Sequence, residues 1–307
     1  MSTDEDAVRF EAHRATLNRL AYRMLGSNAE AEDVVQDAYL RFADALRRTA
    51  VADDAAYLRA TVTRLALDRL RSARARRETY VGPWLPEPIV SDEASNPEAT
   101  ATLADDVSFA LMLALERLSP LERAAFILHD VLDVPFAEIA RTLHRSEEAA
   151  RRLASRGREH VRESRTRRST RRADAIRLRD KFTAALLAGD VDAVIHLLTD
   201  DVVLLSDGGG KATAAINPVV GADHVARFLV GVTTKGAPYI SRIVPALLNG
   251  DPGYVIFGDE HRTGEESVVQ TLAVETDGER INAIYVTRNP DKLHGVAAHL
   301  GDAPLTA

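Results

Sequence analysis

The stretch Ser119–Val161, SPLERAAFILHDVLDVPFAEIARTLHRSEEAARRLASRGREHV, governs how the rest of the chain is read. It opens on Ser119-Pro120-Leu121-Glu122, a helix start in which the Ser119 hydroxyl accepts from the third helical amide and Glu122 reaches back. Pro120 takes the first helical position, where its missing N–H costs nothing. A second short helix is expected from Pro135, with Phe136, Ile139, Ala140 and Leu143 on one face. His144-Arg145 allow a tight turn, and Ser146 caps a third helix whose first turn sets Glu147 and Glu148 against the dipole. That third helix turns Ala150, Leu153, Gly157 and Val161 inward. Arg145, Ser146, Glu147, Glu148, Arg151, Arg152 and Arg156 are left at the turn and on the outer face. Helix, short turn and basic helix is the layout of a helix-turn-helix whose second element enters a major groove. A plain helical hairpin with a solvated basic face has the same pattern, so the remaining sequence must decide.

Charge distribution favours nucleic acid although the net charge of −7 does not. Residues 64–78 hold six basic and two acidic residues, and residues 141–179 hold fourteen and five, in an otherwise acidic chain. Every basic residue in both blocks is Arg, whose planar fork suits phosphate and guanine. Two separated Arg blocks imply two contacts with nucleic acid. The length of 307 residues suggests two or three domains, and 46% hydrophobic residues suffice for real cores. The absence of cysteine excludes disulfides, thiolate catalysis and Cys-based zinc sites. The nine His are scattered without HExxH-like spacing, so neither a metal site nor a cofactor is expected. No apolar run is long enough for a membrane span, and MSTDEDAVRF is no signal peptide, so a cytoplasmic protein is expected.

From the start, residues 8–25 read as an amphipathic helix stopped by Gly26, and Ser27 to Glu30 is another capping box. The helix after it places Ala31, Val34, Val35, Ala38, Phe42 and Leu46 on one face. Its opposite face offers Glu30, Glu32, Asp33, Gln36, Asp37 and Arg41, which as bare chemistry is a solvated acidic surface. A third helix, with Asp54 as its expected cap, runs into the first Arg block at Arg64, Arg69, Arg71, Arg74, Arg76 and Arg77.

Together, LAYRMLGSNAEAEDVVQDAYLRFADA and YLRATVTRLALDRLRSARARRE closely resemble the σ2 domain of the extracytoplasmic-function (ECF) sigma factors of bacterial RNA polymerase. The segment from Ser119 resembles their σ4 domain. The resemblance implies that Asp33, Gln36 and Asp37 dock on the β′ clamp helices of core polymerase, with σ4 toward the β flap. It further implies that Arg64, Asp68, Arg71 and Arg74 contact the −10 promoter element and that the helix from Ser146 reads the −35 element.

Residues 81–105, containing WLPEP at 84–88 and then SDEASNPEAT, are rich in Pro, Ser and acid without helical period and read as a linker. Trp84, the only tryptophan, must pack somewhere, and the surface of the first domain is one candidate. From Arg171 the pattern gives a long helix stopped by Gly189, a short helix over 191–198, a strand over 202–206 and a helix over 223–233. Four strands follow, over 239–248, 254–259, 267–275 and 280–287. Helices first and an antiparallel sheet after is α+β. The phrase GDVDAVIHLLTDDVVLLSDGG resembles the SnoaL-like branch of the NTF2-like fold, a sheet wrapping helices around a cavity. WLPEP, DGGGK (Asp207, Gly208, Gly209, Gly210, Lys211) and NPDKL (Asn289, Pro290, Asp291, Lys292, Leu293) are similar to motifs of the sigma-factor group that carries this added domain. The expected architecture is σ2 over 1–80, a linker over 81–105, σ4 over 106–168 and the SnoaL-like domain over 169–307.

DGGGK is no phosphate loop, because GxxxxGK[ST] is absent and Ala212 follows Lys211; a tight turn or contact surface fits better. Catalysis in the cavity would want Asp207, His224, Tyr254 or His261, none paired by sequence, and fold analogy alone confers no activity. The expectation is a non-enzymatic transcription initiation subunit. By the resemblance, its added domain is a built-in regulator that needs no separate anti-sigma factor, touching the σ2–σ4 part through Trp84, Leu85 and Pro86, DGGGK and NPDKL. The alternative is a cavity enzyme or small-molecule receptor fused to a helix-turn-helix module, and either leaves room for a ligand in the cavity.

Overall fold

A computed structural model describes residues 3–91, 93, 107–164, 171–260 and 264–300. The chain forms two compact units, each built from two stretches: Met1–Thr79 with Ala110–Arg165, and Tyr80–Phe109 with Thr166–Ala307.

The first unit is helical. Helix α1 (Thr3–Leu25) stops where Gly26 turns to φ 71°, and the Ser27 side chain accepts from the Glu30 amide to start α2 (Asn28–Arg48). Ala31, Val34, Val35, Ala38 and Phe42 of α2 are buried, the apolar face expected from spacing. Helix α3 (Asp54–Glu78) is capped by Asp53 rather than Asp54. Asp53 has extended backbone and accepts from the Ala56 amide at 2.9 Å. Asp54 is already helical, and its carboxylate instead takes the Arg9 fork of α1, with Nε at 2.8 Å.

Helices α4 (Phe109–Glu116) and α5 (Pro120–Phe126) follow, the latter with the complete Ser119/Glu122 capping box. A π-helical turn, Ile127–Val131, leads to α6 (Phe136–Leu143), which ends at His144 in the left-handed conformation, φ 53°. Ser146 Oγ accepts from the Ala149 amide at the start of α7 (Glu147–Ser164). Gly157 lets α7 approach α5: a Cβ there would lie 3.0 Å from Phe126 Cβ and 3.2 Å from the Glu122 carbonyl. Buried charge ties the helices together. Glu116 bridges Arg77 and Arg123, Arg77 donates to the Leu25 carbonyl at 2.6 Å, and Arg123 donates to the Arg23 carbonyl at 2.9 Å.

The second unit is α+β, as expected. Helix α8 (Arg172–Ala188) is ended by Gly189 in the left-handed conformation, and α9 (Val191–Leu197) starts on the Asp190 side chain. Helix α10 (Ala222–Gly236) lies between the early and late strands in sequence. The sheet holds β1 (Val90–Ser91), β2 (Leu198–Asp207), β3 (Val219–Val220), β4 (Ile240–Leu248), β5 (Asp251–Gly258), β6 (Ser267–Thr276) and β7 (Ile281–Thr287), in the order β1-β4-β5-β6-β7-β2-β3. Phe182, Val194, Val202, Leu204, Val225 and Ile284 form part of the buried core.

Two features depart from the sequence reading. The sheet is not wholly antiparallel: β2 runs parallel to β7, pairing Leu204 with Ile284 and Ser206 with Val286. A parallel pair needs a long crossover, and here α10 and three hairpin-linked strands supply it. The second departure is the expected linker. Val90 and Ser91 pair with Leu248 and Leu247 as an edge strand of the sheet. Asn249, fully buried, donates from its amide to the Ile89 carbonyl, accepts from the Ile89 amide and donates from its side chain to the Val107 carbonyl, at 2.8–2.9 Å.

Candidate nucleic-acid interface and linker clasp

In α2, residues four apart share a face. Asp33 and Gln36 are accordingly exposed and Asp37 is half-buried. Arg69 of α3 crosses to them, with one guanidinium nitrogen 3.1 Å from Asp33 and the other 3.3 Å from Asp37. Leu40, one turn further and 60% exposed, adds an apolar edge to this acidic face. Spacing alone could have found Leu40, since it falls off the apolar stripe of α2. The role of Arg69 depends on how α2 and α3 pack, which no short-range pattern gives.

Along α3 the expected −10 residues are not equivalent. Asp68 and Arg71 are exposed and pair with each other at 3.2 Å. The side chain of Arg74 lies outside the described residues. Arg64 turns toward α6, donating to the Thr142 carbonyl at 3.2 Å and the Arg141 carbonyl at 3.4 Å. Those carbonyls belong to the last turn of α6, which lacks helical partners. Arg59 of α3 likewise reaches α6, pairing with Glu138 at 2.9 Å.

The residues expected at the −35 element come together on one surface. Arg145 donates to the His144 carbonyl at the turn, and Ser146, Glu147 and Glu148 begin α7. Arg151 pairs with Glu147 at 3.5 Å, Arg152 with Glu148 at 3.1 Å, and Arg156 with Glu122 at 4.0 Å. The three guanidinium groups are 60–66% exposed, so these are weak pairs that a phosphate or base edge can replace. An open depression of about 910 Å³, lined by Ala137, Arg141, His144 and Glu147 among others, lies along the turn. Glu122 is held below the usual carboxylate range: burial works against ionisation, but hydrogen bonds from the Ser119 hydroxyl and amide outweigh it.

In the second unit, WLPEP, DGGGK and NPDKL meet at Asp207, which has no solvent exposure. One carboxylate oxygen accepts from Tyr80 Oη at 2.5 Å. The other accepts from the Leu85 amide at 2.8 Å and from Lys292 Nζ at 2.7 Å. Lys292 also donates to the Leu85 carbonyl, and its ammonium lies 4.3 Å from the Trp84 ring centroid and 5.1 Å from that of Tyr80. Asn289 donates to Tyr80 Oη at 2.8 Å. Burial, with the hydrogen bond to Asp207 next, pushes the Tyr80 phenol well above its ordinary range.

The remaining motif residues frame this clasp. Leu85, Pro86 and Leu293 are buried, and Lys211 pairs at the surface with Asp291, next to exposed Pro290. Gly208 and Gly210 flank Gly209, where φ is +60° and a Cβ would fall 2.3 Å from Asn289 Nδ2. DGGGK is therefore a turn that lets Asn289 approach. Trp84 packs on Lys292 of its own unit. Of the residues considered for catalysis, Asp207 is committed to the clasp, Tyr254 donates to Asp180, His224 contacts the Val220 carbonyl, and His261 lies outside the described residues.

Comparison with known proteins follows this division. Sigma-70 region 2 matches residues 9–76, and Sigma-70, region 4 matches residues 108–161. The ECF RNA polymerase sigma factor SigJ of Mycobacterium tuberculosis is 42% identical over 291 residues, spanning 93% of this chain and 92% of that protein. The chain belongs to the ECF RNA polymerase sigma factors. The probable ECF sigma factor SigI of the same organism is 31% identical over 97% of this chain and 98% of its own length. The crystal structure of M. tuberculosis SigJ superimposes with a TM-score of 0.75 at 38% identity, covering 94% of this chain and 98% of that one. This sigma factor thus shares its α+β unit, and not only its helical regions, with that relative.

Proposed function

We propose that this ECF sigma factor binds core RNA polymerase and directs promoter-specific initiation in the cytoplasm, with its α+β unit as a built-in regulator. Asp33, Gln36 and Asp37 dock on the β′ clamp helices, α3 reads the −10 element, and α7 reads the −35 element with σ4 toward the β flap. The observation that carries this reading is the exposed Arg151, Arg152 and Arg156 on the second helix of a helix-turn-helix, in a chain with both sigma regions. Regulation runs through the chain between the two regions. Of the stretch that joins them, Tyr80, Leu85, Val90–Ser91 and Val107 are held by the α+β unit, so Asp207 and Lys292 set where the connection starts. No separate anti-sigma factor is then required, and a small molecule in the α+β unit would act by loosening the clasp.

Transcription from a defined promoter by purified core polymerase tests initiation; no start above core alone defeats it. Two truncations test regulation. Ending the chain after Thr287 removes Asn289 and Lys292, and should raise promoter-specific transcription by freeing the connection. Ending it after Arg168 also removes β4, the partner of β1, and need not raise transcription, because the productive spacing is lost as well. Equal activity of both truncations and the full chain would defeat the regulatory reading.

A further inference from the structure

The π-helical turn before α6 places His129 against the first residue of α6 and Asp130 against α7. In that turn the Leu132 amide bonds the Ile127 carbonyl at 3.1 Å, five residues back. Such turns shift the register of every side chain after them, and they concentrate at functional sites. Here His129 comes to lie with its ring centroid 3.9 Å from that of Phe136, and its Nδ1 is 3.2 Å from the Val134 carbonyl. Asp130 takes Arg158 of α7 at 2.7 Å. Phe136, the first residue of α6, is half-buried, and the Arg151 guanidinium lies 4.6 Å from its ring centroid.

We propose that Phe136 is a positioning residue for −35 recognition: its ring, backed by His129, holds the Arg151 guanidinium in the orientation in which it meets a base edge. The inference rests on the reading of Arg151 as a base contact. Bidentate contact with a base depends on the plane of the guanidinium as well as its charge. Glu147, 3.5 Å away and four residues back on the same helix, restrains the charge but leaves that plane free. An aromatic face under the guanidinium restrains the plane, and cation–π attraction supplies the restraint. A long side chain held this way loses less conformational freedom on binding than one free in solvent.

The test uses the full-length sigma factor with core polymerase on promoters varied one base at a time in the −35 element. Arg151→Ala identifies the base position that loses discrimination. Phe136→Leu should relax discrimination at that same position by about 2- to 5-fold, leaving the salt dependence of binding unchanged. Phe136→Tyr, which keeps an aromatic face, should restore it. If Arg151→Ala relaxes one position and Phe136→Leu does not, the positioning role is overturned while the base contact stands. Equal weakening on all promoters by Phe136→Leu and Phe136→Tyr marks a purely structural ring and also overturns the proposal. Unchanged base preference with Arg151→Ala defeats the base-contact reading, and the positioning role with it.

Discussion

Replacing Asp207 by Asn tests the clasp with little change of shape. The carboxylate receives three donors, from Tyr80, Leu85 and Lys292, and is fully buried. The Lys292 side chain is only 12% exposed. An Asn amide has one acceptor oxygen and turns an NH₂ group toward one of those donors, so at least one is left unsatisfied. Lys292 meanwhile loses its countercharge. Removing one partner of a buried ion pair costs about 3–5 kcal/mol, a figure that includes the stranded group. The loss falls on the local opening of residues 80–91 and of α11 (Pro290–Leu300), which need not open with the rest of the unit. Hydrogen exchange at the Leu85 and Ile89 amides should accelerate by about 2–4 orders of magnitude, allowing for partial opening already present in the native chain. Lys292→Met should also destabilise, and the double variant should cost clearly less than the two single changes together, because it leaves no unpaired charge. A cost below about 1 kcal/mol for Asp207→Asn, or strict additivity in the double variant, would refute the ion pair as the basis of the clasp.

Charge reversal at Asp33 or Asp37 should abolish co-purification with core polymerase, and wild-type recovery in the pull-down would reduce the α2 face to a solvated surface. Arg152→Ala should cost about 1–3 kcal/mol at one −35 position if it reads a base, and weaken binding evenly on all promoters if it holds phosphate; titration against single-base variants decides. The capping box predicts acid sensitivity. Because Glu122 is held below its unfolded value of about 4.3, its stabilisation is present above that pH and is lost as pH falls through the folded value. Urea midpoints measured from pH 6 to pH 3 should therefore fall less steeply in Glu122→Gln, and an unchanged slope would contradict the assignment.

What could be read from sequence is what the chain settles locally. The Ser119/Glu122 box, the tight turn at His144-Arg145 and the outward Arg side chains of α7 each depend on residues within one or two turns. The two Arg blocks were equally legible, but not the division of labour within the first: Arg64 caps α6, Arg69 binds the acidic face, and Arg77 is tied to Glu116. WLPEP, DGGGK and NPDKL stood out individually, yet their meeting at one carboxylate joins residues 127 and 209 positions apart, as Tyr80 does with Asp207 and Asn289. The parallel pairing of β2 with β7 and the capture of Val90–Ser91 by β4 were hidden for the same reason, since strand partners are set by the finished sheet.

The strand β1 also has a consequence in time. Ribosomes deliver the chain from one end, and the helices up to Ser164 can fold as soon as they emerge. Val90–Ser91 emerge early but must wait for Leu247–Leu248, and Asp207 must wait for Lys292. Roughly 130 residues separate Arg165 from Lys292, which at 5–20 residues per second is about 6–25 s of synthesis. Each nascent molecule therefore passes through an interval in which both sigma regions are complete and the connection between them is not yet fastened. If the α+β unit regulates initiation as proposed, a newborn chain and a finished one are, for that interval, different ligands for the polymerase.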